Sequence, residues 1–235
     1  MNKEVPSCEK CVHRKSGISA FSSLDEGNTN SVSKKKSCIA LKKGEVLFKE
    51  GHSPTGVYCI HNGTLKLSKL GTEGKEQIIR FVQAGDIIGY RSLLSNESLS
   101  VTASSLGNTS CCFIPKSVLF EAIQKNPKFS MDLMKRACHE LGEATKLITN
   151  MAQKSVRERV AEILLMLHSS FGQDEEGFIN ISLTREEIAN MAGTATESLI
   201  RLLSDFKNDE YILLSGRKIK LLDLQGLSRV GNIYD

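Results

Sequence analysis

The 235-residue chain has no apolar run near the ~20 residues that a membrane-spanning helix needs. Its first residues are charged and polar, without the apolar core of a secretion signal. A cytoplasmic location with no membrane partner is therefore expected. No phosphate loop, no Ser/His/Asp order and no paired-histidine metal motif occurs, and the five histidines are scattered. These absences speak against an enzyme. A strong charge of one sign is missing too. The net charge is +4, but from Gln153 onward ten Lys/Arg stand against thirteen Asp/Glu, so that stretch carries −3 and the remainder +7. Overall charge cannot argue for a nucleic-acid partner, and local placement must. An even cysteine count is also absent. The seven are Cys8, Cys11, Cys38, Cys59, Cys111, Cys112 and Cys138. Without a secretion signal, a disulfide framework is not expected, which leaves a metal cluster, a redox switch or buried thiols.

Four stretches differ in texture. Residues 1–36 are rich in Ser, Asn, Gly and Lys and end in Lys34-Lys35-Lys36, which predicts a flexible, cysteine-containing segment. Over residues 37–125, short β-type runs alternate with turn signals such as Asn62-Gly63 and Gly107-Asn108. Val46–Phe48, Val57–Ile60, Leu65–Leu67 and Gln77–Phe81 fit strands of an antiparallel barrel or sandwich. Residues 126–153 open on Asn126-Pro127, a helix start. There Met134, Ala137, Leu141, Ala144, Ile148 and Met151 recur at alternating steps of three and four. Such a stripe can pack on its own domain or form a two-stranded dimer interface. Its narrowness and the small Ala residues favour the dimer.

Residues 154–235 hold the most informative stretch, Leu183 to Phe206. A helix over about Val156–Phe171, with Val160, Ile163, Leu164, Leu167 and Phe171 as its core face, precedes it. Thr184 with Glu187 forms a capping box, Gly193 supplies a turn, and Thr194 with Glu197 offers a second box. Leu199, Leu202, Leu203 and Phe206 make the buried face of the second helix. Thr196, Glu197, Ile200, Arg201 and Ser204 are left outside or flanking. Glu197 and Arg201, four residues apart, share one face. A carboxylate accepts from cytosine N4 and a guanidinium donates to guanine O6 and N7, so the pair can read a G·C base pair. An ion pair between them can also hold Arg201 in place. Thr184, Ser198 and the helix N-terminus could bind phosphates. Two β runs around Ser215-Gly216 make a hairpin wing, whose Arg217 and Lys218 could do the same.

These residues together resemble the Crp/Fnr family of bacterial transcription regulators. The likeness runs from about Ile39 to Leu227. It is carried by Lys43–Gly51 with Gly56–Gly63, by Ala84–Gly89, and by Arg185–Ala189 through Glu197–Arg201. It implies an α+β fold: an N-terminal cyclic-nucleotide-binding-type β-roll, a long dimerisation helix and a C-terminal winged helix-turn-helix. It further implies a homodimer on double-stranded DNA with a pseudo-palindromic site, half-sites about one helical turn apart, and RNA polymerase as a further partner. Glu197 and Arg201 sit where the family's base-reading Glu and Arg sit. Thr196 stands where cAMP-responsive members have Arg, and Ile200 where Fnr-type members have Ser. The rival reading is a sensory module of this type acting on a partner protein without reading DNA.

The resemblance also frames the signal. Members that bind cAMP use a Gly-Glu pair after the Gly-Asp segment and a later Arg-Ser pair, for ribose and phosphate. Here Gly89 precedes Tyr90, and the later pair reads Leu99-Ser100. A buried phosphate without a cation is costly, and Arg91 would point elsewhere on a strand. cAMP is therefore not expected, and Gly89, Tyr90, Arg91 and Ser100 stand as the candidate effector pocket. Fnr proteins hold an iron–sulfur cluster with a Cys-x-x-Cys pair, a third Cys six residues on, and a fourth in a Cys-x-Ile-Pro context. Cys8, Cys11 and Cys112 match, but the third position is Gly17. Cys38 could substitute, His13 could stand in, or Cys8, Cys11, His13 and Cys38 could bind zinc. Alternatively Cys59, Cys111, Cys112 and Cys138 are small core residues. A different small molecule or a haem-dependent gas response is also compatible with a β-roll.

Overall fold

The computed structural model describes residues 7–71 and 73–233. The chain forms two compact units, Met1–Lys69 with Ile78–Gly142, and Leu70–Gln77 with Glu143–Asp235. They divide the long helix at Gly142, whereas the sequence pattern places divisions after residues 36, 125 and 153.

In the first unit, the segment expected to be flexible is instead folded. It forms a 3-10 turn at Cys8–Lys10, helix α1 (Val12–Lys15), a second 3-10 turn at Ala20–Ser23 and helix α2 (Glu26–Lys35). Residues 1–6 of that segment lie outside the described residues. The physical reason is a few apolar side chains within the polar stretch. Ala20, Phe21, Leu24 and Val32 are buried, and Phe21 stacks on Phe129 with ring centroids 5.3 Å apart. Directed hydrogen bonds complete the docking. His13 Nε2 donates to the His61 carbonyl at 2.7 Å, Arg136 Nη2 to the Ile18 carbonyl at 2.6 Å, and Asn126 Nδ2 to Asp25 Oδ2 at 3.2 Å.

Eight strands follow: β1 (Ser37–Leu41), β2 (Val46–Phe48), β3 (Gly56–Asn62), β4 (Leu65–Leu70), β5 (Glu76–Val82), β6 (Ile87–Ile88), β7 (Thr102–Ser105) and β8 (Thr109–Pro115). They build two four-stranded sheets, in the orders β1-β8-β3-β6 and β2-β7-β4-β5. Side chains alternate between faces along each strand. On β3 and β8, Ile60 and Cys111 join Phe48, Leu65, Val82 and Ile88 in one core. Val57 and Ile114 face the other way, into a second core with Phe21, Leu119 and Phe129. That second core is roofed by the N-terminal segment, by helix α4 (Lys116–Lys125) and by the start of helix α5 (Pro127–Gln153). Tyr90–Ser95 is a short helix, α3, following Gly89 in a left-handed conformation at φ 86°. Arg91 therefore does not sit on a strand, and the alternation expected of it does not apply.

Helix α5 has 27 residues, hence about 40 Å of length. Asn126 begins it, its Oδ1 accepting from the Phe129 amide at 3.1 Å. Phe129 and Leu133 are buried and Ala137 is half-buried against the same core. Met134, Leu141 and Ile148 are 58%, 69% and 70% exposed.

In the second unit, helix α6 (Val156–Phe171) starts on a Ser155/Glu158 capping box and buries Val160, Ala161, Leu164 and Leu167. Helices α7 (Arg185–Ala192) and α8 (Thr196–Asn208), strands β9 (Ile212–Ser215) and β10 (Lys218–Leu221), and helix α9 (Leu224–Val230) complete it. Helix α6 packs on α7, α8 and α9. Among the described residues, no helix is long and apolar enough to cross a membrane.

Candidate nucleic-acid interface and sensor sites

Helix α7 begins as expected. Thr184 Oγ1 accepts from the Glu187 amide at 3.1 Å, and Glu187 Oε2 accepts from the Thr184 amide at 2.9 Å. Thr184 is thereby engaged as a cap. Gly193 ends the helix at φ 61°, a left-handed conformation that favours glycine. A Cβ there would press on Met151 Sδ at 3.3 Å. Arg159 Nε donates to the Ala192 carbonyl at 2.9 Å, binding α6 to the end of α7.

The second capping box does not form. Helix α8 starts after Ala195, one residue later than Thr194, and Ala195 has no side-chain acceptor. The first amides of α8 thus carry no side-chain cap. Leu199, Leu203 and Phe206 anchor the helix inward. Glu197, Ser198, Ile200, Arg201 and Ser204 are exposed on the other side, with Thr194 and Thr196 half-buried at its start. Among the described residues, neither a hydrogen bond nor an ion pair joins Glu197 to Arg201, so the expected mutual pairing is absent and both ends face outward.

The wing differs from expectation at one residue. Lys218 Nζ lies 2.9 Å from Asp174 Oδ2 and 3.2 Å from Glu176 Oε2, and also stands over the Phe178 ring at 5.2 Å. Its charge is already neutralised by the acidic turn before α7. Arg217 is exposed, and its side chain makes no ion pair among the described residues. Arg185, given no role of its own by the sequence, places its Nη2 2.8 Å from the Gly216 carbonyl and so fastens the wing turn to α7. A cation in a helix's first turn opposes the helix dipole, which was the available sign that it had another task.

These contacts account for the domain's negative balance. Glu158 and Glu187 serve as caps, Asp223 caps α9, Glu162 holds Lys154, and Asp209 holds Arg157. With Lys154, Arg157 and Lys218 in internal ion pairs and Arg159, Arg185 and Lys220 on backbone carbonyls, Arg201, Lys207, Arg217 and Arg229 remain turned to solvent.

The first unit brings the expected effector residues together. Gly89, Tyr90, Arg91 and Ser100 line a cavity of 70 Å³, with Arg80 and Glu140. That is far below the ~300 Å³ typical of small-molecule pockets. Arg80 Nη2 meets Glu140 Oε1 at 2.8 Å, which ties β5 to α5. Burial, with the Glu140 carboxylate beside it, pushes the Tyr90 phenol well above its ordinary pKa.

The thiols gather in a way only the register reveals. Cys112 is directly opposite Cys38 on β1 and Cys59 on β3. Opposed residues share a face, so all three lie on the side covered by the N-terminal segment. There Cys8 packs on the same core as Cys59, and Ser19 Oγ lies 3.7 Å from Cys59 Sγ. Lys36 Nζ donates to Cys112 Sγ at 3.5 Å. Burial pushes the Cys59 thiol up to about 11 and those of Cys111 and Cys112 up to about 12. Cys38 and Cys138 are exposed. Among the described residues no three His, Cys, Asp or Glu side chains lie close enough to clasp one metal ion. The expected set of Cys8, Cys11, Cys38 and Cys112 is therefore not assembled, and Gly17 offers no ligand in its place.

Residues 38–126 match the cyclic nucleotide-binding domain family, and residues 158–230 match the Crp-like helix-turn-helix domain family. The chain is 33% identical over 187 residues to the transcriptional activator protein Anr of Pseudomonas protegens, covering 78% of this chain and 75% of that one. It is 30% identical over 199 residues to the fumarate and nitrate reduction regulatory protein of Vibrio cholerae, with 80% and 78% covered. Among solved structures, FixK2 from Bradyrhizobium japonicum superposes with a TM-score of 0.74 at 26% identity, covering 83% of this chain and 96% of that one.

Proposed function

The chain belongs to the Crp/Fnr family, on its Fnr-like branch, and on that premise we propose that two copies read a pseudo-palindromic DNA site with Glu197 and Arg201. It is a sequence-specific DNA-binding transcription regulator, not an enzyme. One observation carries the base-reading assignment. Glu197 and Arg201 stand exposed on the outer face of α8, uncoupled from each other, in a domain that engages most of its other cations internally.

Each protomer lays α8 in a major groove, with Arg201 on guanine and Glu197 on the paired cytosine. The uncapped amides at the start of α8, with Thr194, Thr196 and Ser198, meet phosphate. Arg217 on the wing meets another, while Lys218, paired with Asp174 and Glu176, contributes little. The two protomers join along Met134, Leu141, Ala144 and Ile148. Ala137 and Met151 serve their own protomer, Ala137 on the core beneath α5 and Met151 beside Gly193. A signal at the β-roll or its cysteines shifts α5 and re-aims the recognition helices. The regulator works in the cytoplasm, with RNA polymerase as its partner at the promoter.

A fluorescence-anisotropy titration of a target duplex against salt tests the wing contact. Each phosphate contact contributes roughly 0.9 to the slope of log affinity on log salt. Arg217→Ala is expected to lower the slope by about 2 per dimer and to weaken all duplexes alike. An unchanged slope would remove Arg217 from the contact set.

A further inference from the structure

Helix α5 and the N-terminal segment border an open cleft of 490 Å³ inside the first unit, against 70 Å³ for the cavity at Tyr90. That volume falls within the ~300–1,000 Å³ of small-molecule sites. On the helix side it is lined by Lys128, Asp132, Lys135, Arg136 and His139. Lys128, Asp132, Lys135 and His139 recur at steps of four, three and four, so they share one face. That face lies about 150° round the helix from Met134, Leu141 and Ile148, so pairing along those residues leaves the cleft accessible. The opposite wall exists because Phe21 and Leu24 are buried beneath it, which leaves Ser22 on the cleft. The polar groups of this cleft are largely unused by the protein. Lys128, Lys135 and His139 are exposed and make no ion pair among the described residues. Asp132 is half-buried, yet it has neither an ion pair nor a hydrogen bond among the described residues. Ser22 Oγ is buried without a hydrogen-bond partner, although buried polar groups are ordinarily paired. Arg136 is held in place, its Nη2 donating to the Ile18 carbonyl at 2.6 Å and its Nη1 3.9 Å from Asp86 Oδ1.

We propose that this cleft binds a small phosphorylated metabolite with free hydroxyls, its phosphate on Lys135, Arg136 and His139 and a hydroxyl on Asp132, one turn away. Charge sets the ligand class. Lys128, Lys135 and Arg136 against Asp132 leave a surplus of two positive charges before His139 is counted. A phosphate monoester carries about 1.5 to 2 negative charges at neutral pH, whereas a single carboxylate would leave one cation unmatched. A guanidinium fork and an ammonium are the donors that phosphate recognition uses, and His139 adds a ring N–H. Asp132 narrows the class further. Its carboxylate repels a bare anion but accepts from a hydroxyl, so it selects a sugar phosphate over inorganic phosphate. Ser22 supplies a hydroxyl from the facing wall. A ligand that touches both walls stabilises the docking of the N-terminal segment on α5 by mass action. Nothing in this site depends on the DNA-reading assignment.

The test is calorimetric titration of the purified full chain in phosphate-free buffer, with ribose 5-phosphate, ribose and inorganic phosphate as probes. Ribose 5-phosphate is expected to bind saturably with a Kd below ~1 mM, inorganic phosphate about tenfold more weakly, and ribose not measurably. Lys135→Gln removes one charge-assisted hydrogen bond and is expected to weaken ribose 5-phosphate about tenfold or more. Lys135 is exposed, so the substitution leaves the core untouched. Lys43→Gln, exposed in the turn between β1 and β2, is expected to bind as the wild type does. Asp132→Ala should move the two anions in opposite directions, tightening inorganic phosphate and weakening ribose 5-phosphate. A merely structural effect would weaken both. The proposal is overturned if ribose 5-phosphate does not bind, if Lys135→Gln binds it as the wild type does, or if Asp132→Ala shifts both anions alike. No DNA is present in these titrations, so their outcome is independent of whether Glu197 and Arg201 read bases.

Discussion

Arg201→Ala is expected to cut discrimination between a target duplex and a scrambled one sharply while leaving the fold intact. Arg201 is exposed on α8 and makes no ion pair among the described residues. Its truncation should therefore change stability by no more than about 0.5 kcal/mol. A good bidentate contact to guanine is worth about 1–3 kcal/mol of base discrimination. A dimer makes that contact twice, so the loss is about 2–6 kcal/mol, or roughly thirty-fold to twenty-thousand-fold in affinity for the target. Binding to the scrambled duplex should weaken much less, because it rests on phosphate contacts. Competition anisotropy with both duplexes measures the ratio. A ratio equal to that of the wild type would show that Arg201 reads no base.

Ile148→Glu is expected to convert the dimer to a monomer. Ile148 is 70% exposed on α5, one heptad beyond Leu141 and two beyond Met134. Packing two such helices together would place the introduced carboxylates close to each other in an apolar seam. Leaving charges buried and unpaired costs about 3–5 kcal/mol, which raises the dissociation constant at least about a hundredfold. The protomer itself should keep its stability, since the side chain is not part of its core. Sedimentation at micromolar concentration distinguishes the two species. DNA affinity should fall with the dimer, because one half-site then binds without the effective concentration supplied by the other. A variant that sediments as a dimer would place the interface away from Ile148.

Strand alternation along Val57–Ile60 and Leu65–Leu67, the Pro127 helix start, and the Thr184–Gly193–Phe206 pattern were legible in the sequence because each is written in neighbouring residues. Three features were not, for separate physical reasons. The N-terminal segment looks solvated because Phe21, Leu24 and Val32 are sparse among Ser, Asn and Lys, yet sparse apolar residues suffice when a ready-made core receives them. Lys218 reads as a phosphate ligand until Asp174, 44 residues away, is seen beside it. The pairing of Cys59 with Cys112 is not legible, since register between non-consecutive strands carries no local signal. The shift of the α8 start from Thr194 to Ala195 is a smaller miss of the same kind as any helix boundary.

A symmetric base-reading dimer is the central claim, and selection of bound duplexes from a random pool tests it most directly. Two inverted half-sites are expected, each with a G·C pair at one fixed position, their centres about one helical turn apart. Repeating the selection with Arg201→Ala should erase the preference at that position and keep the half-site spacing. Enrichment of a single asymmetric half-site, or of no sequence at all, would contradict the claim.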